Sequence, residues 1–153
     1  MEISKLLAGH RLVALDTCVF IYLMERNPKY FAAADAVFEW MEHPGSSAVT
    51  STVVLTEILV QPYRAQDLAR AESFYSLLTT LPNLEWFPPS LQIANLAAVL
   101  RANYRLQTPD ALIAATAISC NASAFITNDP IFRRIPGLEV LILDEFVSGS
   151  AKS

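Results

Sequence analysis

Two kinds of apolar pattern alternate along this chain, and together they predict a repeated order of strands and helices. Short continuous apolar runs predict buried strands at residues 12–15, 48–50, 84–87, 124–127 and 138–143. Apolar residues at helical spacing predict helices at residues 18–25, 30–42, 52–61, 66–81, 93–105 and 108–120. Strands that alternate with helices over the whole length predict an α/β fold with a parallel sheet and helices on both faces.

Helix ends are marked by capping and breaking residues. Thr17 is predicted to cap the first helix, and Pro62 to end the helix at residues 52–61. Thr108 is a candidate capping hydroxyl, with Pro109 at the first helical position. In the helix at residues 66–81, four apolar side chains are predicted to face the core: Leu68, Phe74, Leu77 and Leu78.

Composition narrows the classes of protein. A length of 153 residues with 53% hydrophobic residues fits one domain, predicted over residues 1–147 with a disordered tail at residues 148–153. A net charge of −4 argues against a strongly basic nucleic-acid platform. No run is long enough to span a membrane, and two cysteines suit a reducing compartment, so we expect a cytoplasmic protein. The only histidines, His10 and His43, fall in predicted loops, which gives little support to zinc chemistry.

Four carboxylates stand out from this pattern. Asp16 ends the first predicted strand, and Asp129 follows the strand at residues 124–127. Glu57 interrupts an otherwise apolar helix, and Asp110 lies in the first turn of the helix at residues 108–120. Each has an ordinary explanation when taken alone, such as a helix cap, a turn or a favourable contact with the helix dipole. Their joint occurrence is what predicts a site.

The predicted topology brings these carboxylates together. In open parallel sheets, ligands bind outside the carboxyl ends of the strands, where the strand order reverses. Asp16 and Asp129 both belong to that edge. Carboxylates gathered in a partly dry pocket repel one another, and a hard divalent cation such as Mg²⁺ or Mn²⁺ neutralises them. The sequence therefore predicts the site of a metal-dependent hydrolase.

Four segments carry a resemblance to a known family. They are Leu15-Asp16-Thr17, Thr56-Glu57, Thr108-Pro109-Asp110-Ala111-Leu112-Ile113-Ala114 and Ile126-Thr127-Asn128-Asp129. Over residues 12–146 the chain resembles the PIN-domain ribonucleases, and within them the small toxins of VapBC-type toxin–antitoxin pairs. One departure is Cys18, where the family more often has a small polar residue.

The resemblance implies a five-stranded parallel sheet, Mg²⁺- or Mn²⁺-dependent endoribonuclease activity, a homodimer and inhibition by a small antitoxin protein. It assigns the metal and catalytic site to four carboxylates, with Thr17 and Thr127 as supporting hydroxyls: Asp16, Glu57, Asp110 and Asp129. We hypothesise that Asp16 and Asp129 bind the first ion, that Asp110 shares it or binds a second, and that Glu57 orients or deprotonates the attacking water.

The sequence leaves other functions open. One is a non-catalytic module that binds protein or RNA, and another is a housekeeping RNA-processing nuclease. A third is a phosphatase or phospho-acceptor domain with Asp16 as nucleophile, although Cys18 stands where such enzymes have a second Asp. Two arginine pairs are candidates for phosphate contacts, and three tyrosines for base stacking or a dimer contact: Arg101 and Arg105, Arg133 and Arg134, and Tyr22, Tyr63 and Tyr104.

Overall fold

A computed structural model describes residues 2–147, so the tail predicted at residues 148–153 lies outside the described residues. Five parallel strands form one sheet in the order β3-β2-β1-β4-β5. The strands are β1 (Leu12–Leu15), β2 (Ser47–Ser51), β3 (Leu84–Phe87), β4 (Ala124–Thr127) and β5 (Val140–Ile142). The predicted α/β fold with a five-stranded parallel sheet is thus confirmed.

Within residues 2–147, seven α-helices and two 3₁₀ turns connect and cover these strands. The helices are α1 (Ile3–Leu7), α2 (Thr17–Met24), α3 (Phe31–Met41), α4 (Thr52–Arg64), α5 (Leu68–Thr79), α6 (Leu91–Tyr104) and α7 (Thr108–Ser119). The 3₁₀ turns are Pro130–Arg134 and Leu143–Phe146. No helix in the part of the chain that the structure describes is both long and apolar enough to cross a membrane.

The centre of the sheet is covered on both faces. Successive strand residues point to opposite faces, and in β4 the consecutive residues Ala124, Phe125 and Ile126 are all fully buried. Continuous burial of this kind is typical of a parallel strand with helices on each side. Since β1 lies between β2 and β4, the order reverses beside β1, and the carboxyl ends of β1 and β4 flank the resulting crevice.

Helix α7 forms a buried support beneath that crevice. It contacts β1, β2, α4 and α6, and most of its body from Ala111 to Ala117 is buried. Its small alanine side chains allow the neighbouring elements to approach closely. The prediction that this apolar helix is buried is confirmed, and its burial fixes the position of its first turn.

Several local predictions were wrong. Pro62 does not end α4, which continues to Arg64, because a proline in the last turn removes only one backbone hydrogen bond. Thr108 does not cap α7: the cap position is Gln107, which makes no side-chain capping bond. The last strand is shorter than predicted, and α1 was not predicted at all.

The apolar face of α5 was also partly misassigned. Its buried positions are Ala71 and Leu78, whereas Leu68 is 63% exposed and Leu77 is 46% exposed. Together with half-buried Phe74, the buried residues follow i, i+3, i+7 spacing along one face of the helix. Leu77 lies beside that face, and Leu68 lies in the first turn at the edge of the face. The outer surface of α5 is therefore unusually apolar.

Candidate active site

Asp16 is the buried centre of the site. It follows β1 directly and caps α2, since Oδ1 accepts a hydrogen bond of 2.8 Å from the backbone N–H of Thr17. Oδ2 accepts a 2.7 Å hydrogen bond from the Thr127 hydroxyl at the end of β4. The helix cap is therefore Asp16, which agrees with one of its ordinary explanations, and the prediction that Thr17 caps α2 is wrong. Both carboxylate oxygens are held in place at the edge of the sheet where β1 and β4 end.

Thr17 does not cap α2, but its hydroxyl lies among the four acids, where it was predicted as a supporting group. Its hydroxyl donates a 2.8 Å hydrogen bond to Oε1 of Glu57, which joins the start of α2 to the middle of α4. Glu57 itself is exposed, because the buried residues of α4 around it are Val54 and Ile58. Its apolar sequence neighbours thus do not bury it, and Thr17 holds its carboxylate beside the start of α2.

Asp129 lies in the loop that follows β4. Its backbone N–H donates a 3.1 Å hydrogen bond to Oγ1 of Thr127, and its own Oδ1 accepts one of 2.9 Å from the N–H of Ile131. Asp129 therefore caps the turn Pro130–Arg134, as one of its ordinary explanations had suggested. Thr127 contacts both acidic residues, since its hydroxyl donates to Asp16 and accepts from Asp129.

Asp110 completes the acidic group from the first turn of α7, where it is half-buried. All four predicted carboxylates line one cleft of about 450 Å³ at the carboxyl edge of the sheet. The lining residues are Asp16, Thr17, Cys18, Ile21, Tyr22, Glu57, Asp110, Thr127, Asn128, Asp129 and Pro130. The fold thus brings together residues separated by more than a hundred positions in the chain.

The cleft carries uncompensated negative charge. Burial raises the pKa of Asp16 from 3.8 to about 6, although its hydrogen bonds from Thr127 and Thr17 oppose the rise and the charges of Asp110 and Glu57 add to it. The pKa of Asp110 is also raised, first by burial and then by repulsion from Glu57 and Asp129. No Lys, Arg or His among the lining residues offsets the repulsion between these carboxylates.

The donor set fits a hard divalent cation. Carboxylate and hydroxyl oxygens are the ligands that Mg²⁺ and Mn²⁺ prefer, and the raised pKa values of two acids indicate a place where positive charge would be stabilising. Across residues 2–147, however, no three Asp, Glu, His or Cys side chains already form a group tight enough to hold an ion. The acids surround the cleft at wider spacing than a closed coordination sphere.

Asn128 is a residue that the sequence interpretation did not assign to the site. Its Nδ2 donates a 3.0 Å hydrogen bond to the Tyr22 hydroxyl, and its Oδ1 accepts one of 2.9 Å from the N–H of Asp144. Asn128 therefore joins the loop of Asp129 to α2 and to the turn Leu143–Phe146. In the sequence, only its place between Thr127 and Asp129 indicated that Asn128 belongs to the site, because its hydrogen-bond partners are distant along the chain.

Cys18 also lines the cleft, and the arginines proposed as phosphate contacts do not. Burial and the nearby charge of Asp16 raise the pKa of the Cys18 thiol to about 12, so it is a neutral thiol at physiological pH. Arg133 instead binds Glu145 through two hydrogen bonds of 2.6 and 3.0 Å. The Nε of Arg101 donates to the carbonyl of Leu106.

Comparison with known proteins agrees with the fold. The family model "PIN domain" matches residues 13–138, and the chain belongs to the PIN domain family. No curated protein sequence matches the chain. Among solved structures, the VapBC-1 complex of nontypeable Haemophilus influenzae is similar at 25% identity and a TM-score of 0.67, covering 86% of this chain and 98% of that one.

Two further solved structures are similar over the same share of this chain, 86%. A toxin–antitoxin complex from Klebsiella pneumoniae has 26% identity and a TM-score of 0.62, with 97% of that chain covered. VapBC2 from Rickettsia felis, bound to a DNA fragment from its promoter, has 21% identity and a TM-score of 0.66, with 98% of that chain covered. The Klebsiella structure supports the same architecture, and the Rickettsia structure shows the fold alone.

Proposed function

We propose that this protein is an endoribonuclease that depends on Mg²⁺ or Mn²⁺ and hydrolyses RNA phosphodiester bonds. The observation that carries the proposal is the cleft in which Asp16, Glu57, Asp110 and Asp129 meet without a balancing cation. Membership of the PIN domain family supports the same reaction class. The PIN domain is proposed to extend over residues 1–147, slightly beyond the segment that the family model matches.

In this proposal each acidic side chain has a defined role. Asp16, Asp110 and Asp129 hold the cation, with Asp16 positioned by the Thr127 hydroxyl. A bound divalent cation supplies positive charge to the phosphoryl oxygen and lowers the pKa of a bound water. Glu57 is exposed to solvent, and its hydrogen bond from Thr17 orients its carboxylate to hold that water and accept its proton.

A cleavage assay tests the proposal. A fluorescently labelled single-stranded RNA is incubated with the protein in Mg²⁺, in Mn²⁺ and in EDTA, and products are resolved on a denaturing gel. We expect cleavage in both metals, none in EDTA, and a loss of at least about a hundredfold in Asp110→Asn. Asp67→Asn is the matched control, because Asp67 caps α5 on the surface. Equal activity of Asp110→Asn and wild-type protein would contradict the assignment.

We further propose that the protein is the toxin of a toxin–antitoxin pair, present in the cytoplasm as a homodimer and inhibited by a small antitoxin. Similarity to the Haemophilus and Klebsiella complexes supports this biological role. Exposed apolar side chains on α4 and α5 support partner binding: Tyr63, Leu68, Tyr75 and Leu77. Expression of the wild-type chain should arrest growth, and expression of Asp16→Asn should not.

Binding of an antitoxin and formation of a homodimer can each be measured separately. Co-expression with the product of the neighbouring short reading frame should restore growth and co-purify with the toxin. Light scattering of the purified chain should give twice the 16.9 kDa of one copy. Growth arrest that persists in Asp16→Asn would separate toxicity from the nuclease site, and a mass of one copy would contradict the homodimer.

A further inference from the structure

The acidic cleft lacks one kind of contact that RNA binding usually requires. Every nucleotide brings a negative phosphate, yet the cleft is lined by four carboxylates and, within the described residues, by no Lys, Arg or His. A cation bound by the carboxylates neutralises charge only at the scissile phosphate. The neighbouring nucleotides therefore need contacts that do not depend on phosphate charge. The faces of unpaired bases provide such contacts, because they stack on aromatic side chains.

Tyr22 is the aromatic side chain among the residues that line the cleft. It lies on α2, about one turn beyond Cys18, and is half-buried. Its ring stacks on that of Tyr30, with the ring centres 4.6 Å apart and an angle of 27° between the planes. Its hydroxyl accepts the hydrogen bond from Asn128, the residue before Asp129. The ring is thus attached to the same loop that carries one of the proposed metal ligands.

Tyr30 is itself held in place from the opposite end of the pair. Its hydroxyl donates a 2.8 Å hydrogen bond to Oδ1 of Asp144, and the Nζ of Lys29 lies 3.0 Å from the same oxygen. Lys29 Nζ also lies 5.2 Å from the centre of the Tyr30 ring. These contacts fix both rings before any ligand binds. A rigid aromatic surface loses little conformational entropy on binding, which favours its use as a contact for a base.

We infer that Tyr22, supported by Tyr30, is the surface on which an unpaired base next to the scissile phosphate stacks. The inference rests on the proposed nuclease function and adds a residue that selects and positions the substrate. Tyr22 contacts the substrate away from the reacting atoms, so it contributes to binding in the ground state and the transition state alike. The substrate class is therefore RNA with an unpaired nucleotide beside the cleavage site.

Steady-state kinetics on an oligonucleotide that contains the cleavage site mapped for the wild-type protein test this role. Tyr22→Leu keeps a bulky apolar side chain but removes the aromatic face, and we expect KM to rise about 5- to 150-fold, the range for loss of one stacked base. We expect kcat to stay within about threefold, because uniform binding is what is lost. Tyr22→Phe keeps the ring and removes only the hydroxyl that binds Asn128, so its KM should rise much less than that of Tyr22→Leu.

A modified substrate tests the same contact without relying on any variant that folds poorly. Oligonucleotides with an abasic residue at each position flanking the cleavage site are compared in wild-type protein. We expect one position at which loss of the base lowers kcat/KM about 5- to 150-fold. At that position Tyr22→Leu should show no further loss, because both changes remove the same contact.

The outcomes separate this inference from the proposed nuclease function. If the wild-type protein cleaves no RNA, the nuclease proposal fails regardless of Tyr22. If it cleaves RNA but no abasic position matters, or if Tyr22→Leu remains fully sensitive to the abasic residue, the stacking role is overturned and the nuclease proposal stands. An unchanged KM in Tyr22→Leu would likewise overturn it.

Discussion

Replacing Asp16 by Asn should remove function and increase stability, and the increase should depend on pH. Asp16 is only 8% exposed, and the pKa of its carboxyl, about 6 in the folded protein, lies well above the 3.8 of an ordinary Asp. A raised acid pKa means that the folded state binds the proton more tightly than the unfolded state does. Ionised Asp16 therefore destabilises the fold at neutral and alkaline pH, and this cost disappears as the pH falls through 6 toward 4.

The size of the effect follows from the two pKa values. The pKa of Asp16 is about 6 in the folded protein and is taken as 3.8 in the unfolded chain. This difference lowers the free energy of unfolding by about 3 kcal/mol at pH 8. About 1.4 kcal/mol of that should be recovered in the wild-type protein at pH 5. Asn is neutral at every pH and can still accept the N–H of Thr17, but it cannot accept the Thr127 hydroxyl through its nitrogen. That lost bond offsets roughly 1 kcal/mol of the gain.

Urea unfolding in EDTA at pH 8 and pH 5, followed by the fluorescence of Trp40 and Trp86, measures the difference. We expect Asp16→Asn to be more stable than wild type by about 2 kcal/mol at pH 8. At pH 5 this difference in stability should be smaller by about 1.4 kcal/mol. Asp67→Asn is the matched control, since Asp67 also caps a helix but is exposed. A stability difference between Asp16→Asn and wild type that does not change between these pH values would refute the reasoning.

Three further predictions follow from the same contacts. Thr127→Val should lower the free energy of unfolding by about 1–3 kcal/mol in urea, because the N–H of Asp129 loses its acceptor, and Thr127→Ser should restore it. Mn²⁺ affinity, measured by calorimetry, should weaken about tenfold from pH 7 to pH 5 as Asp16 takes up a proton, and a constant affinity would contradict the assignment. Cys18 should resist iodoacetamide at pH 8 until urea unfolds the chain, which mass spectrometry of its tryptic peptide can follow.

The sequence was sufficient to predict the sheet and the location of the site. The residues of a continuous run such as Ala124–Thr127 are buried on both faces of the sheet. Such burial is typical of a parallel strand that has helices on each side. Polar residues that follow such runs must lie at the carboxyl edge, so Asp16 and Asp129 were predicted to be neighbours. Their shared hydrogen-bond partner, Thr127, confirms that proximity.

The detailed environment of each acid was less predictable. Glu57 has apolar neighbours in sequence, but a helix buries only one stripe, and its position lies outside that stripe. The Thr17 hydroxyl could have capped α2, yet it binds a glutamate 40 positions away because Asp16 already caps that helix. Such choices depend on tertiary contacts that local sequence rules do not contain.

The link between Tyr22 and Asn128 shows the same limit. The two residues are 106 positions apart, and no local rule connects Tyr22 with the segment that contains Asn128. Their contact exists because the order of β1 and β4 in the sheet brings the start of α2 beside the loop after β4. Sequence reasoning proposed Tyr22 as a candidate for stacking but had no means to separate it from Tyr63 or Tyr104.

The acidic cleft is proposed to bind a divalent cation through carboxylates from distant parts of the chain. A crystal of the protein soaked in Mn²⁺ and measured for anomalous scattering tests it most directly. We predict a peak in coordination contact with Asp16 and Asp129, with Asp110 or Glu57 drawn closer than in the metal-free arrangement. A peak elsewhere on the surface, or an empty cleft in crystals that contain about 10 mM Mn²⁺, would contradict the account.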